Sequence, residues 1–227
     1  MRILVTRPRE DAERIARKLA ALGHAPVVVP LLETRFRDGD EIALDGVQAI
    51  LATSANGVRA FARRSARRDL PLFAVGPQTA QEARAAGFAL VRDAGGDANA
   101  LGDAASKWAT PEAGMLLHVK GAEGPSALAA LLGQKGFAAK SIVLYDMVAL
   151  TEPPRALGEA FVRGIDAALF FSPRSAGIFK DCAGGLATDT AIAACISQAT
   201  ATALTPLIFR EVRIATEPNQ QALLALL

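Results

Sequence analysis

The sequence predicts an α/β fold of two similar lobes, each a parallel sheet flanked by helices, joined by two extended linkers with an inter-lobe cleft. Three observations carry that expectation. Short runs rich in Val, Ile, Leu and Ala alternate with Ala-rich segments of helical spacing, the pattern of helices layered on a parallel sheet. Three motif units occur in order and then occur again. Two further stretches, "LLETRFRDGDEIALDG" after Pro30 and "DMVALTEPPRALGE" after Tyr145, have no second copy and read as connectors.

Taken in order, the strand-like runs fall at 3–6, 26–30, 49–53, 71–75, 89–92, 115–119, 141–145, 167–171, 192–196 and 212–215, and helical segments follow most of them. The first repeat sets "LATSANGVRAF" from Leu51 beside "LFFSPRSAGIF" from Leu169. The second sets "FAVGPQTAQEARAAGF" from Phe73 beside "AACISQATATALTPLIF" from Ala193, matching Gly76 with Ser197 and Thr79 with Thr200. A weaker third pair begins at Leu4 and Leu117, with Gly23 and Gly136 where each helix should stop. The repeat alone divides the chain near Pro111. Spacing does not say which copy belongs to which lobe.

Composition narrows the function. The 227 residues, 51% of them hydrophobic, suffice for one large core or two small ones of about 100 residues each. A net charge of +2, from 25 basic and 23 acidic residues, offers no broad field for nucleic acid but leaves room for a small anion. No apolar run reaches the ~18 residues of a membrane helix, and the start "MRILVTRP" lacks the features of a signal peptide. Cys182 and Cys195 form no CxxC and no ligand cluster, which points to two reduced thiols in the cytoplasm.

In parallel α/β sheets ligands bind outside the carboxyl ends of the strands, and every marked motif sits there. The candidate ligand-binding residues are Arg7 in "TRP", Ser54, Asn56 and Gly57 in "TSANG", Gly76 in "VGPQT" and Gly121 in "VKGAEG". Ser172, Arg174 and Ser175 in "SPRS", with Ser197, Gln198 and Thr200 in "SQAT", complete the set. A helix that starts just after a strand presents N–H groups and a partial positive charge, so such loops suit carboxylate or phosphate. Ser54, Ser172 and Thr200 add hydroxyls, and Asn56 or Gly57 can take unusual backbone angles. The same residue types are also the ordinary N-caps of helices.

Several chemistries leave no trace. Neither a GxxxxGK[ST] loop nor a GxGxxG after a strand is present, and no nucleophile with its base or metal-ligand cluster can be read. His24 and His118 read as surface or core histidines, and Asp11, Glu13, Glu82 and Glu123 as solvated faces. "ARRSARRD" from Ala62 reads as a basic helix end.

Together "VTRP", "TSANGV", "VGPQTA", "KGAEG", the strand ending at Tyr145, "FFSPRSA" and "CISQATATAL" resemble the uroporphyrinogen-III synthase family, over essentially the whole chain. The resemblance implies one lobe from 1–32 plus 151–227 and another from 37–147, with linkers near 33–36 and 148–150. It implies cyclisation of hydroxymethylbilane, a linear tetrapyrrole, to uroporphyrinogen III with loss of water and inversion of the last pyrrole ring, without a cofactor. It makes Tyr145, the only tyrosine in the chain, the candidate catalytic acid and the twelve loop residues candidate substrate contacts. A cytoplasmic monomer without nucleic-acid or membrane partners is expected. Two departures from the family pattern are Pro125, where Arg is common, and Ser197 in place of the commoner Gly, which is expected to alter a backbone turn. The alternative reading is a cytoplasmic two-lobed anion-binding or regulatory module that closes on its ligand without chemistry; a hydrolase or transferase is disfavoured by the missing nucleophile–base pair.

Overall fold

The computed structural model describes residues 1–123 and 127–227. In chain order the first half places β1 at Arg2–Val5, α1 at Arg9–Ala21, β2 at Ala25–Val28, β3 at Leu32–Phe36, β4 at Val47–Ala52 and α2 at Ala55–Arg64. It continues with β5 at Leu72–Ala74, α3 at Pro77–Ala85, β6 at Val91–Asp93, α4 at Ala98–Trp108, β7 at Met115–Gly121 and α5 at Ala127–Gln134. The remainder has β8 at Ala139–Ala149, α6 at Arg155–Val162, β9 at Ala167–Phe170 and α7 at Pro173–Cys182. Then come β10 at Ile192–Cys195, α8 at Gln198–Thr202, β11 at Glu211–Ile214 and α9 at Gln220–Leu224. Two compact units result: Met1–Glu33 with Val148–Leu227, and Thr34–Met147. Pro111, where the repeat alone divides the chain, lies in a short 3-10 turn inside the second unit.

The first unit is built on a fully parallel sheet of strand order β11-β10-β9-β1-β2. Successive strand residues point to opposite faces, so both faces must be apolar when helices cover both. That is what the residues supply. Leu4, Ala168 and Phe170 join one core with Leu157, Phe161 and Phe179 of α6 and α7, while Ile3, Val5 and Leu169 join another with Ile15 and Leu19 of α1. Phe170 and Phe179 meet edge to face at 5.1 Å.

The second unit has the order β3-β8-β7-β4-β5-β6. Ile50 and Ala52 of β4 pack with Val58 and Phe61 of α2, whereas Ala49 and Leu51 pack with Leu101 of α4 and Leu128 and Leu132 of α5. Strands β4 to β8 pair in parallel. The β3 edge makes the sheet mixed: Leu150 N–H bonds to Leu31 O and Arg37 N–H to Leu144 O, a register that runs in opposite directions along the two strands. The two stretches read as connectors therefore pair with each other, and β8 continues past Tyr145. An extended segment leaves backbone donors and acceptors unpaired, and two such segments side by side satisfy one another.

Both helix stops read from glycine are present. Gly23 and Gly136 take φ of 80° and 84°, and the next residue returns a bond to the helix, His24 N–H to Leu19 O and Phe137 N–H to Leu132 O, each 3.0 Å.

Candidate active site

Strand order places the loops. In the first unit β1 leads outward to β2 on one side while β9 leads to β10 and β11 on the other, so the order reverses between β1 and β9. In the second it reverses between β4 and β7. Ligand crevices of open α/β sheets lie at such reversals, outside the carboxyl ends of the strands. Arg7 follows β1 and Ser172 follows β9; Ser54 follows β4 and Gly121 ends β7.

In the second unit Ser54 is the N-cap of α2, with φ −158° and ψ 155°, and its Oγ accepts from Gly57 N–H at 3.0 Å. The same Oγ lies 2.8 Å from the Tyr145 phenol oxygen. Tyr145 is 7% exposed and sits inside β8, opposite Gly121, rather than at a strand end. Its carbonyl accepts from Ala122 N–H at 2.9 Å. Gly121 is required by the ring: a Cβ there would stand 2.8 Å from Tyr145 Cε2 and Cζ. Gly57 is required for a different reason than the one expected. It is helical, and its lack of a side chain lets α2 approach β7, since a Cβ would stand 2.8 Å from Val119 O. Asn56 also sits within α2, and among the described residues only glycines have positive φ. Its side chain is engaged: Arg59 Nη1 donates to Asn56 Oδ1 at 2.7 Å, and Asn56 Nδ2 lies 3.7 Å from Met147 Sδ. Gly76, the N-cap of α3, leaves that helix start without a side-chain cap, and a Cβ there would meet nothing within 4 Å.

In the first unit Arg7 Nη2 donates to Asp11 Oδ2 at 2.7 Å, and its guanidinium lies 4.9 Å from the centre of the Phe171 ring. Ser172 caps α7, accepting from Ser175 N–H at 3.1 Å, and Ser175 is buried. Ser197 caps α8, accepting from Thr200 N–H at 3.3 Å. Arg174 and Gln198 are exposed in the first turns of α7 and α8. Thr200 does not begin its helix. It is fully buried, with its hydroxyl 3.0 Å from Ser197 Oγ, which commits it to the cap. Ser197 leaves the turn unaltered: its φ −158°, ψ 164° match the −169°, 176° of Gly76, extended angles open to any residue. Pro125, and Gly124 of the "VKGAEG" motif, lie outside the described residues.

Two carboxylates read as solvated are not. Asp11 is 5% exposed and paired with Arg7, and Glu82 takes Arg59 Nη2 at 2.7 Å, bracing α3 against α2. Arg59 and the buried Lys120 went unread, because a lone cation in an apolar run carries no signal of what it will face. The arginines from Ala62 onward serve the chain itself: Arg68 Nε bonds to Ala86 O at the end of α3, Arg64 reaches Asp40 O, and Arg63 stacks on Phe36.

His118 is a core histidine, 1% exposed, with Nε2 3.1 Å from Thr53 Oγ1 and Nδ1 3.1 Å from Ser141 Oγ. Burial, and then the charge of Lys120, hold its imidazole down at about 4. In the unfolded chain it titrates near its ordinary ~6.5, so between those values the unfolded state binds more protons and stability falls as pH falls. This one group should cost about 3 kcal/mol by pH 4. Denaturant melts at pH 7, 5 and 4 check it: the acid slope should be smaller in His118→Gln, and equal slopes would refute the assignment.

Among the described residues no group of three or more His, Cys, Asp or Glu is placed to hold a metal, and no helix is long and apolar enough to cross a membrane. A family model described as uroporphyrinogen-III synthase HemD matches residues 13–225. Among solved structures, uroporphyrinogen-III synthetase from Helicobacter pylori 26695 matches with a TM-score of 0.65 at 19% identity, covering 88% of this chain and 90% of that one. A mutant uroporphyrinogen III synthase from the extremely thermophilic bacterium Thermus thermophilus matches with a TM-score of 0.49 at 17% identity, over 100% of this chain and 97% of that one. No curated protein matches by sequence.

Proposed function

Because the chain belongs to the uroporphyrinogen-III synthase family, the activity is the cyclisation of hydroxymethylbilane to uroporphyrinogen III in heme biosynthesis, and we propose how its residues perform it. The observation that carries the reading is the Tyr145 phenol, held 2.8 Å from Ser54 where α2 begins.

The substrate is a linear tetrapyrrole whose rings carry acetate and propionate carboxylates. The first N–H groups of a helix have no partner within it and carry a partial positive charge, so helix starts at strand ends receive such groups. Gly76 keeps the start of α3 open to an anion, with Pro77 at the first helical position leaving Gln78 and Thr79 N–H to donate. At α2 and α7 the serine caps satisfy the third N–H, that of Gly57 and of Ser175, so those hydroxyls are committed within the chain. Carboxylate recognition thus rests on backbone more than on the serine hydroxyls. Arg7, Arg174 and Gln198 supply side chains at the strand ends of the first unit.

Loss of water from a hydroxymethyl carbon requires a proton for the departing hydroxyl and a positioned carbon nucleophile. An ordinary phenol, with a pKa of about 10, is protonated at neutral pH and fills the first role. The second is geometric: the substrate closes unaided to the uninverted isomer, so the protein must hold the ring ends in the geometry that leads to the spiro intermediate. Nothing in that scheme calls for a cofactor, and the class is a cyclising hydro-lyase acting as a cytoplasmic monomer. The test is to incubate the protein with fresh hydroxymethylbilane, oxidise, and separate the porphyrin isomers. Type III supports the reading. A module that only bound the tetrapyrrole would leave type I.

A further inference from the structure

The capping serines are built alike except at one position. Ser172 Oγ accepts from Ser175 N–H and donates to Ser175 Oγ, each at 3.1 Å. Ser197 Oγ accepts from Thr200 N–H at 3.3 Å and lies 3.0 Å from Thr200 Oγ1. In both, the second partner of the cap is the hydroxyl three residues on. At that place in α2 stands Gly57, where a Cβ would stand 2.8 Å from Val119 O, so no hydroxyl-bearing side chain fits. Ser54 Oγ meets the Tyr145 phenol at 2.8 Å instead. A tyrosine from β8 thus takes the position that an in-helix hydroxyl holds elsewhere.

The geometry points to Ser54 as the positioning residue for Tyr145 rather than a substrate contact, an inference that rests on the role proposed for Tyr145 above. One Ser54 lone pair is taken by Gly57 N–H. As Ser172 does toward Ser175, Ser54 donates its single proton to the phenol oxygen, so the phenol's own proton is not spent on Ser54. When the phenol O–H breaks, its proton joins the departing hydroxyl, the carbon–oxygen bond breaks and water leaves. The phenolate keeps the Ser54 hydrogen bond at the positive end of α2. The proton that the pyrrole sheds on closure restores the phenol. Gly121, with no Cβ, leaves the ring the space it occupies.

Tyr145 is the only tyrosine, so tyrosinate absorbance in an alkaline titration reads this residue alone, without substrate. Ser54→Gly is the variant of choice, because glycine serves as an N-cap at little cost and already does so at Gly76. It removes the donor to the phenolate, so the midpoint should rise by about one unit, a tenfold change in ionisation. kcat should fall about tenfold or more with little change in KM, since a hydrogen bond to a charged group is lost. Ser54→Thr should keep both values. Asp97→Ala, which removes the N-cap of α4 in the same unit, controls for lost capping and should leave the midpoint alone. Charges on the neighbouring elements, Lys120 on β7, Arg59 on α2, Glu82 on α3, and Asp146 with Arg37 on β8 and after β3, are common to all variants and cancel in the comparison. A Ser54→Gly midpoint equal to that of the parent would overturn the inference and leave Ser54 as a cap. A parent inactive on hydroxymethylbilane would refute the assigned activity, while the titration would still decide the pairing.

Discussion

Tyr145→Phe is expected to lower turnover of hydroxymethylbilane by ~100-fold or more, the usual contribution of a positioned general acid, while leaving KM within about twofold. The substitution removes one oxygen and nothing else. The ring keeps its place over Gly121, and Ser54 Oγ keeps its bond from Gly57 N–H, so the cap of α2 survives. Activity should not vanish, because holding the ring ends in a productive arrangement does not need the phenol. Initial rates of type III formation, with thermal melts to show an intact fold, are the measurement. A Tyr145→Phe protein working at the parental rate would remove the phenol from the mechanism and leave binding geometry as the whole explanation.

Gly121→Ala should be nearly as damaging, by way of packing. Its Cβ would fall 2.8 Å from Tyr145 Cε2 and Cζ and 3.1 Å from the phenol oxygen, closer than carbon atoms pack. Tyr145 is buried and its backbone is tied by the Ala122 N–H bond at 2.9 Å, so relief comes by tilting the ring and breaking the 2.8 Å contact with Ser54. Forcing a methyl into such a site costs about 1 to 3 kcal/mol. The expected result is a thermal midpoint lowered to match and a turnover close to that of Tyr145→Phe. Parental stability together with parental turnover would show that the ring has room the structure does not suggest.

What the sequence disclosed was mostly local. Alternating apolar runs identify strands buried on both faces, Gly23 and Gly136 stop helices because only glycine takes their φ without strain, and a serine before an apolar helical run announces a cap. What it withheld depends on neighbours distant in the chain. That β1 pairs with β9, Ile3 opposite Ala167, is a property of the packed sheet and appears in no local pattern. The pairing of β3 with β8 was hidden for the same reason, and so a linker reading stood where an edge strand forms. Asp11 and Glu82 read as surface because a carboxylate at helical spacing looks the same whether or not an arginine waits across from it. Glycine was the most misleading residue at the candidate site. Gly57 suggested unusual backbone and Gly121 a ligand contact, but each leaves room, one for a carbonyl and the other for an aromatic ring. Tyr145 stood out as the sole tyrosine, yet its partnership with Ser54 depends on the register of β7 with β8, which spacing does not encode.

Catalysis by this protein shows itself in the isomer composition of the product as the protein is titrated against a fixed amount of fresh hydroxymethylbilane. Spontaneous closure competes throughout and yields the uninverted isomer, so the ratio of type III to type I reports how much flux passes through the protein. The prediction is a ratio that climbs with protein concentration until type III is nearly the sole product, and that climbs far more slowly with Tyr145→Phe. Type I alone, formed at the rate of the buffer at every protein concentration, would contradict it.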